Sequence, residues 1–260
     1  MFLPYQSLSW KSLAQSDFDA ELLLIEFLIT QNTVFFDIGS NKGEYAFFAE
    51  KLMPSKNIYL FEPEKKLFRQ LQRMFPKSNV FDIAISDSTG TRQFKIPEIN
   101  GVIDNCLSSL EVERTEVNET QSTRYDVNTD TLDNFTKRHR VRPSLIKIDV
   151  EGHELSVLDG AINYINREHP TFIIEIEQRH HEQDINFVFD DFKKQGYNCY
   201  YYSKEKAQLL PYNDKSYLTN SIAYFGTKDY VNNYIFIHES NGLLKRIANV
   251  NTEIHSKINS

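Results

Sequence analysis

The sequence predicts an α/β fold built on a parallel, doubly wound sheet. From Val34 to Ile85, apolar strand-like runs and helix-like segments alternate in the order β-α-β-α-β, which is typical of a parallel sheet with helices on both faces. Pro54 and Pro76 end the two intervening helices. A later apolar run ends at Asp149 and, like the first run, leads into a glycine turn. Acidic residues at the carboxyl ends of strands mark the ligand site of such a sheet.

The remaining elements follow from hydrophobic spacing and turn residues. An amphipathic helix is predicted from Asp17 to Ile29, with Ser16 or Asp17 as its N-cap. The polar stretch from Pro97 to Asn128 is predicted to be a functional loop with short β pieces. Strands are predicted at 34–38, 57–61, 79–85, 91–96, 145–149, 171–176, 197–202 and 218–225. The last two are expected to form an antiparallel pair around a long turn at 204–216. Further helices are predicted at 43–52, 64–75, 153–165 and 185–195.

Composition restricts the function. The chain of 260 residues carries a net charge of −7, which argues against nucleic-acid binding because that requires a basic face. Its two cysteines, Cys106 and Cys199, lie far apart in sequence, which fits a reducing compartment and predicts a cytoplasmic location. The apolar run from Leu22 to Ile29 is short and is interrupted by Glu26, so no transmembrane segment is predicted.

The segment after the first strand points to a nucleoside cofactor. Asp37, Gly39 and Gly43 lie at a strand-to-helix turn, where glycines let the backbone approach a ligand closely. A dinucleotide site would need a glycine where the chain has Asn41, so NAD and FAD are disfavoured. Glu62 ends the second strand 19 positions after Gly43, a spacing suited to hydrogen bonds with ribose hydroxyls. The two acids could instead be N-caps, but together with the glycines they favour S-adenosylmethionine (SAM), which has no phosphate.

Six short motifs carry a resemblance to a known family. They are DIGSNKG at 37–43, FEP at 61–63, AISD at 84–87, TLD at 131–133, KIDVEGHE at 147–154 and LDGA at 158–161. Over about residues 33–225, the chain resembles the FkbM-type SAM-dependent methyltransferases. The resemblance implies a Rossmann-like, seven-stranded, mostly parallel sheet with an antiparallel final strand pair, and methylation of hydroxyls, often on sugars or natural products. The expected parts are an N-terminal helical segment (1–32), a methyltransferase domain (33–228) with an acceptor-side insertion (97–128), and a C-terminal extension (229–260).

Methyl transfer to a hydroxyl needs an acceptor oxygen held in line with the methyl group and a base for its proton. Asp149 is predicted to lie beside the methyl group, and Glu151 and His153 follow it toward the acceptor. Our hypothesis for the base is His153 assisted by Glu151, with Asp149 as the alternative. Lys147 is predicted to have a structural role. It either pairs with an acidic side chain or points to the face opposite the neighbours of Asp149. The predicted cofactor-binding residues are Asp37, Gly39, Asn41, Gly43, Tyr45, Glu62, Asp82, Ala84 and Asp149, with Asp82 toward the adenine.

The acceptor site is the part that the sequence defines least. Ser108 and Ser109, in the insertion, and Glu175 and Glu177, which as i, i+2 residues of a strand share a face, are predicted to bind the acceptor. The histidines at 180–181 and Glu182 could form a metal cluster with Asp149, but a solvated loop is the favoured interpretation, so no metal is predicted. The expected partner is a small-molecule or glycan acceptor, with a homodimer as an option. The alternative function is a non-catalytic SAM-fold binding module in a glycan-assembly complex, docked through its N-terminal helix. A nicotinamide oxidoreductase is disfavoured by the missing central glycine.

Overall fold

The computed structural model describes residues 8–13, 20–212, 220, 227 and 230–259. It contains a sheet of eight strands with a hydrophobic core on each face, and a second sheet of four strands. The strands are β1 Phe35–Ile38, β2 Ile58–Phe61, β3 Asn79–Phe81, β4 Ile83–Ile85, β5 Gly90–Ile99, β6 Val102–Ile103, β7 Glu119–Asp130, β8 Leu145–Ile148, β9 Thr171–Glu175, β10 Tyr197–Ser203, β11 Gln208–Pro211 and β12 Asn233–His238. The helices are α1 Trp10–Leu13, α2 Glu21–Leu28, α3 Glu44–Ala49, α4 Lys65–Met74, α5 Leu132–His139, α6 Glu154–Asp159, α7 Ile162–Glu168, α8 Asn186–Lys194 and α9 Leu243–Asn259.

Five neighbouring strands of the large sheet, in the order β9-β8-β1-β2-β3, run parallel, as the alternating pattern predicts. β1 and β8 are buried throughout, and their side chains alternate between the two cores. Phe35 packs in the core with α2 and α3, whereas Phe36 packs in the opposite core. In the sheet register Ile38 lies between Phe61 and Ile148. The residues that follow these three strand ends are therefore delivered to one edge of the sheet.

The other end of the large sheet is antiparallel and corrects the predicted strand count. β12 lies between β9 and β10 and is antiparallel to both, and β11 adds an eighth strand at the edge. The prediction of seven strands is wrong because part of the expected turn at 204–216 folds back as β11, after a turn in which Ala207 has a φ of 50°. Of the strand predicted at 218–225, Asn220 alone lies within the described residues.

The segment expected to be a C-terminal extension takes part in the sheet. It contains β12, the antiparallel partner of β10, and every residue of that strand is buried. It also contains α9, whose apolar side chains pack in the core with α1 and α2. The strand pair at the end of the sheet is therefore completed by residues beyond 228, which the sequence had placed outside the domain.

The insertion is ordered, contrary to the predicted loop. β5 and β7 form a long antiparallel pair and, with β4 and β6, make the small sheet in the order β4-β7-β5-β6. The strand predicted at 79–85 splits at the exposed Asp82, so that β3 joins the large sheet and β4 joins the small one. The small sheet is stabilised by a core of its own, formed by Ala84, Phe94, Ile96 and Val127.

The N-terminal helix is shorter and more buried than predicted. α2 begins at Glu21, and the proposed N-caps, Ser16 and Asp17, lie outside the described residues. Its apolar side chains pack in one core with those of α1, α3 and α9. Arg246 of α9 donates hydrogen bonds to two carbonyl oxygens near the C-terminal end of α2, at 2.7 and 2.9 Å. A helix covered in this way offers no amphipathic docking face. In the described ranges, no helix is long and apolar enough to cross a membrane.

Candidate active site

The ends of β1, β2 and β8 border an open cleft. Gly39, directly after β1, brings two of these ends together, since its φ is 79° and a Cβ built on it would lie 1.8 Å from the carbonyl oxygen of Asp149. Only glycine fits such a close backbone approach at this φ. The N–H groups of Gly39 and Ser40 both donate to the carbonyl oxygen of Phe61, at 3.1 and 3.0 Å. The predicted role of Gly39 in shaping the site therefore has a steric basis.

Glu62 lines the cleft at the end of β2 and is 5% exposed. Its Oε2 accepts a hydrogen bond from the N–H of Asn41 and its Oε1 from that of Glu64, both at 2.8 Å. Burial raises the pKa of Glu62 to about 8, although these two backbone donors lower it. The N-cap of α4 is Glu64, which accepts from the N–H groups of Lys66 and Leu67. Glu62 is thus not needed as a cap, and each of its oxygens keeps a lone pair for a ligand hydroxyl.

Asp37, in β1, is a buried carboxyl group with unused acceptors. It is 1% exposed, and neither side-chain oxygen has a hydrogen-bond partner within the described part of the chain. Burial raises the pKa of Asp37 to about 7, although the nearby ammonium of Lys147 lowers it. The buried Oδ1 of Asn41, which lines the cleft, also has no partner among these residues. Buried acceptors without donors are unfavourable, so both residues fit a ligand that brings an ammonium group.

Like Asp37, the predicted cofactor residues Gly43 and Tyr45 are not among the residues that line the cleft. Gly43 makes room for packing behind α3, since a Cβ built on it would lie 2.5 Å from the ring of Phe75. Tyr45 is buried in α3, and the Nζ of Lys147 lies 4.7 Å from the centroid of its ring. Gly43 thus allows the turn after β1 to pack against Phe75, and Tyr45 contacts the ammonium group of Lys147.

The apolar side of the cleft comes from the strands of the small sheet. Ile83, Ala84 and Ile85 of β4 line it together with Phe94 of β5. Asp82 is exposed and is not among the lining residues. Because β4 pairs with β7, the chain turns away from the large sheet after Asp82, and the following residues reach the cleft instead.

Asp149 follows β8 and lines the cleft, where a buried lysine holds it. The Nζ of Lys147 lies 2.7 Å from Oδ2 of Asp149, and the lysine side chain is 4% exposed. Burial lowers the pKa of Lys147, but the carboxylates of Asp149 and Asp37 outweigh it and raise that pKa above its usual value. Lys147 therefore pairs with an acid, which is one of the two roles that the sequence predicts for it.

His153 is fixed by two hydrogen bonds that the sequence does not reveal. Its Nδ1 lies 2.6 Å from Oε1 of Glu111, and its Nε2 lies 2.9 Å from Oγ of Ser86. The hydrogen bond with His153 lowers the pKa of Glu111, against the effect of burial. In the structure the carboxylate that contacts His153 is thus Glu111, from the insertion, and not Glu151. Both ring nitrogens of His153 are therefore engaged by side chains of the protein itself.

Glu151 lines the cleft on a tight turn, with a φ of 51° in the left-handed region. Burial raises the pKa of Glu151 well above its usual value, and the carboxylates of Asp149, Glu154 and Glu177 raise it further. Oε1 of Glu154 holds this turn by accepting from two of its backbone N–H groups, at 3.2 and 2.9 Å. Four carboxyl groups therefore converge beside the cleft.

The predicted acceptor residues divide into two pairs. Ser108 and Ser109 line the cleft, whereas Glu175 and Glu177 do not. The Oγ of Ser109 is used for the fold, since it bonds to the backbone at 3.2 and 3.1 Å. The two glutamates contact side chains of the chain itself, an amide at 2.7 Å for Glu175 and a guanidinium at 2.6 Å for Glu177. Of these four, Ser108 is the residue best placed to contact a molecule in the cleft.

Solved structures of related folds are similar to this chain. The methyltransferase FkbM from Methylobacillus flagellatus KT matches with a TM-score of 0.51 and 14% identity, over 89% of this chain and 48% of that chain. This chain thus spans about half the length of that protein. A TehB-like SAM-dependent methyltransferase from Corynebacterium glutamicum ATCC 13032 Kitasato matches with a TM-score of 0.41 and 12% identity, over 88% and 91% of the two chains. No curated protein sequence matches the chain.

The sequence itself matches a protein family. The family described as Methyltransferase FkbM domain matches residues 37–199, a range that begins at the buried Asp37 and includes Glu62, Asp149 and His153. The match covers more than half of the 260 residues. The chain therefore belongs to the FkbM methyltransferase family, and SAM is the cofactor that this membership implies.

Proposed function

We propose that this chain is a SAM-dependent O-methyltransferase that acts on a hydroxyl of a carbohydrate, glycan or glycosylated metabolite. The observation that carries the proposal is the convergence of Glu62 and Asp149 on one cleft, together with the unpartnered carboxyl group of Asp37. The family supports the methyl donor. The class of acceptor rests on the resemblance of the motifs to family members that methylate sugars and natural products.

Residues that line the cleft, together with the buried Asp37, fit the three parts of the cofactor. Asp37 and Asn41 offer unpartnered acceptors to the ammonium of its amino-acid end. Glu62 offers the remaining lone pairs of its carboxyl group to the ribose hydroxyls. The apolar surface of β4 suits the adenine ring. When bound, the cofactor supplies an electrophilic methyl group on a sulfonium.

Asp149 is the residue that we assign to the acceptor proton. One of its oxygens is held by Lys147 at 2.7 Å, and its side chain is 27% exposed, so the group is both fixed and accessible from the cleft. A positioned base accelerates attack by a neutral hydroxyl by about 10²–10⁴-fold. His153, locked between Ser86 and Glu111, keeps the turn after β8 in place and is a positioning residue.

The function is tested by measuring S-adenosylhomocysteine release with a panel of sugars and glycosylated metabolites. We expect turnover with some members, and an Asp149→Asn variant to lose about 10²-fold or more while still binding SAM. Asp159→Asn, which changes an exposed acid at the end of α6, is the matched control. Full turnover by Asp149→Asn would remove the assignment of the base. SAM binding without release for any acceptor would favour the binding module, although the helix expected to dock it is buried.

Cofactor binding is expected to weaken on acidification because of Asp37. Its pKa of about 7 leaves the group largely neutral below that pH, whereas an ammonium ligand favours the carboxylate. SAM affinity should therefore fall as pH drops below 7, by up to about tenfold per pH unit. Calorimetry between pH 5.5 and 8, at about half-unit intervals, measures this slope. The Asp37→Asn variant should bind SAM more weakly, and its affinity should depend less on pH. An unchanged slope in this variant would refute the assignment of Asp37 to the ammonium group of SAM.

Cellular location and assembly stay predictions. The net charge and the two cysteines favour a cytoplasmic protein that does not bind nucleic acid. A homodimer is an expectation that sedimentation of the purified chain would test.

A further inference from the structure

Three potential metal ligands meet beyond the ends of β8 and β9, next to the cleft. They are Glu151, Glu177 and His180, and their ligand atoms all lie within 4.8 Å of one another. The Nε2 of His180 is 3.9 Å from Oε2 of Glu151 and 4.0 Å from Oε1 of Glu177. These separations are too long for hydrogen bonds. Two ligands that share one ion at about 2.1 Å are themselves about 3.0–4.2 Å apart, so both distances from His180 suit a shared ion.

His180 points a buried, unpartnered nitrogen into this group. Its side chain is 4% exposed, which corrects the expectation of a solvated loop, and its Nε2 has no hydrogen-bond partner among the described residues. The Oε2 of Glu151 is likewise buried without a partner there. An unsatisfied buried polar atom costs about 1–3 kcal/mol. Two such atoms that face each other indicate a missing ligand between them.

Glu177 can still contribute a lone pair, although it has partners of its own. Its Oε1 accepts from Arg179 at 2.6 Å, and its Oε2 accepts from Arg179 at 2.9 Å and from the hydroxyl of Tyr230. A carboxylate oxygen has two lone pairs, so Oε1 can also coordinate an ion. Arg179 and Tyr230 therefore fix this carboxylate without using both lone pairs of Oε1.

The local charge favours a cation over an anion. Arg179 contacts both Glu177 and Glu116, at 2.6 and 3.5 Å, and Arg114 contacts Glu116 at 2.7 Å. When Glu151 is ionised, these residues are three carboxylates and two guanidinium groups, which leaves one negative charge. A divalent cation would stabilise the ionised form of Glu151 by relieving the repulsion between its carboxylate and those of its acidic neighbours.

We propose that Glu151, Glu177 and His180 bind a divalent cation at the acceptor side of the cleft. An imidazole with two carboxylates suits Mn²⁺, Fe²⁺ or Zn²⁺ better than Ca²⁺. Three protein ligands leave coordination positions open, and Glu151 lines the cleft, so an acceptor oxygen can occupy one of them. There the ion would lower the pKa of the acceptor hydroxyl, a role that rests on the proposed function.

The site is tested by titrating Mn²⁺ into the full chain after treatment with a chelator, with free Mn²⁺ followed by electron paramagnetic resonance. We expect one site per chain, and His180→Ala and Glu151→Gln each to weaken it by at least about tenfold. His181→Ala is the matched control, because this neighbouring histidine is similarly buried but contacts Glu154 at 3.5 Å instead of the proposed ligands. Thermal unfolding of each variant shows whether it remains folded.

The outcomes separate this site from the proposed function. Mn²⁺ binding needs neither SAM nor an acceptor, so binding that depends on His180 supports the site even if no acceptor is methylated. Absence of binding, or equal losses in His180→Ala and His181→Ala, overturns it, even if methylation proceeds. If His180→Ala does not fold, Glu151→Gln decides, because this change keeps the shape of the side chain and removes its charge.

Discussion

Gly39→Ala is expected to unfold the chain or to leave it unable to bind SAM. The new Cβ would lie 1.8 Å from the carbonyl oxygen of Asp149, and the φ of 79° is unfavourable for alanine. The backbone fixes the positions of both the Cβ and the carbonyl group, so no side-chain rotation relieves the clash. We therefore expect a loss of about 4 kcal/mol or more in the free energy of unfolding. Urea denaturation measures the loss, and calorimetry measures SAM binding by the protein that remains folded.

The control for this variant is another glycine. Gly90 begins β5, and a Cβ built on it meets nothing within 4 Å. Gly90→Ala should therefore change the free energy of unfolding by less than about 0.5 kcal/mol. Equal behaviour of the two variants would mean that the contact between Gly39 and Asp149 does not hold the strand ends together.

Asp149→Ala should destabilise the fold as well as stop catalysis. The variant leaves the ammonium of Lys147, whose side chain is 4% exposed, without its partner at 2.7 Å. Removing one member of a buried ion pair typically costs about 3–5 kcal/mol, and we expect the lower end because Asp37 remains near the lysine. Urea denaturation of the apoprotein measures this change separately from turnover.

A double variant distinguishes the lost ion pair from other effects of the substitution. Lys147→Met combined with Asp149→Ala removes both charges, so it should be more stable than Asp149→Ala alone. Asp191→Ala breaks the exposed pair with Lys194 in α8 and should produce no measurable change. A double variant less stable than the single one would show that Lys147 stabilises the fold mainly through Asp37 and Tyr45.

The cofactor half could be predicted from sequence because its signals are local. Each of Asp37, Glu62 and Asp149 lies at or directly after a short apolar strand, and the parallel register alone brings these ends to one edge. Gly43 shows a limit of such reasoning, since its missing Cβ serves the packing of Phe75 and not a ligand. A sequence pattern shows that a glycine is required at a position more readily than it shows which residue packs against that glycine.

The acceptor half could not be predicted because its contacts join distant and weakly patterned segments. Glu111 lies 42 positions before His153 in a polar stretch, where one glutamate among several carries no distinguishing signal. The burial of His180 depends on how the segment after β9 folds against the turn at Glu151. The eighth strand was missed for a similar reason, because β11 is a four-residue edge strand that follows a short turn.

The small sheet has a further consequence for how this family can diversify. It is built around its own apolar core, yet the chain between its strands supplies Ser108 and Leu110 to the cleft and Glu111 to His153, which lines the cleft. The connection between β6 and β7, which carries these residues, can be exchanged for that of a relative while β4 and Phe94, on the adenine side, stay unchanged. Chimeras made by grafting this connection, with a carboxylate retained at position 111 to contact His153, offer a route to new acceptor specificities with Asp149, the proposed base, unchanged.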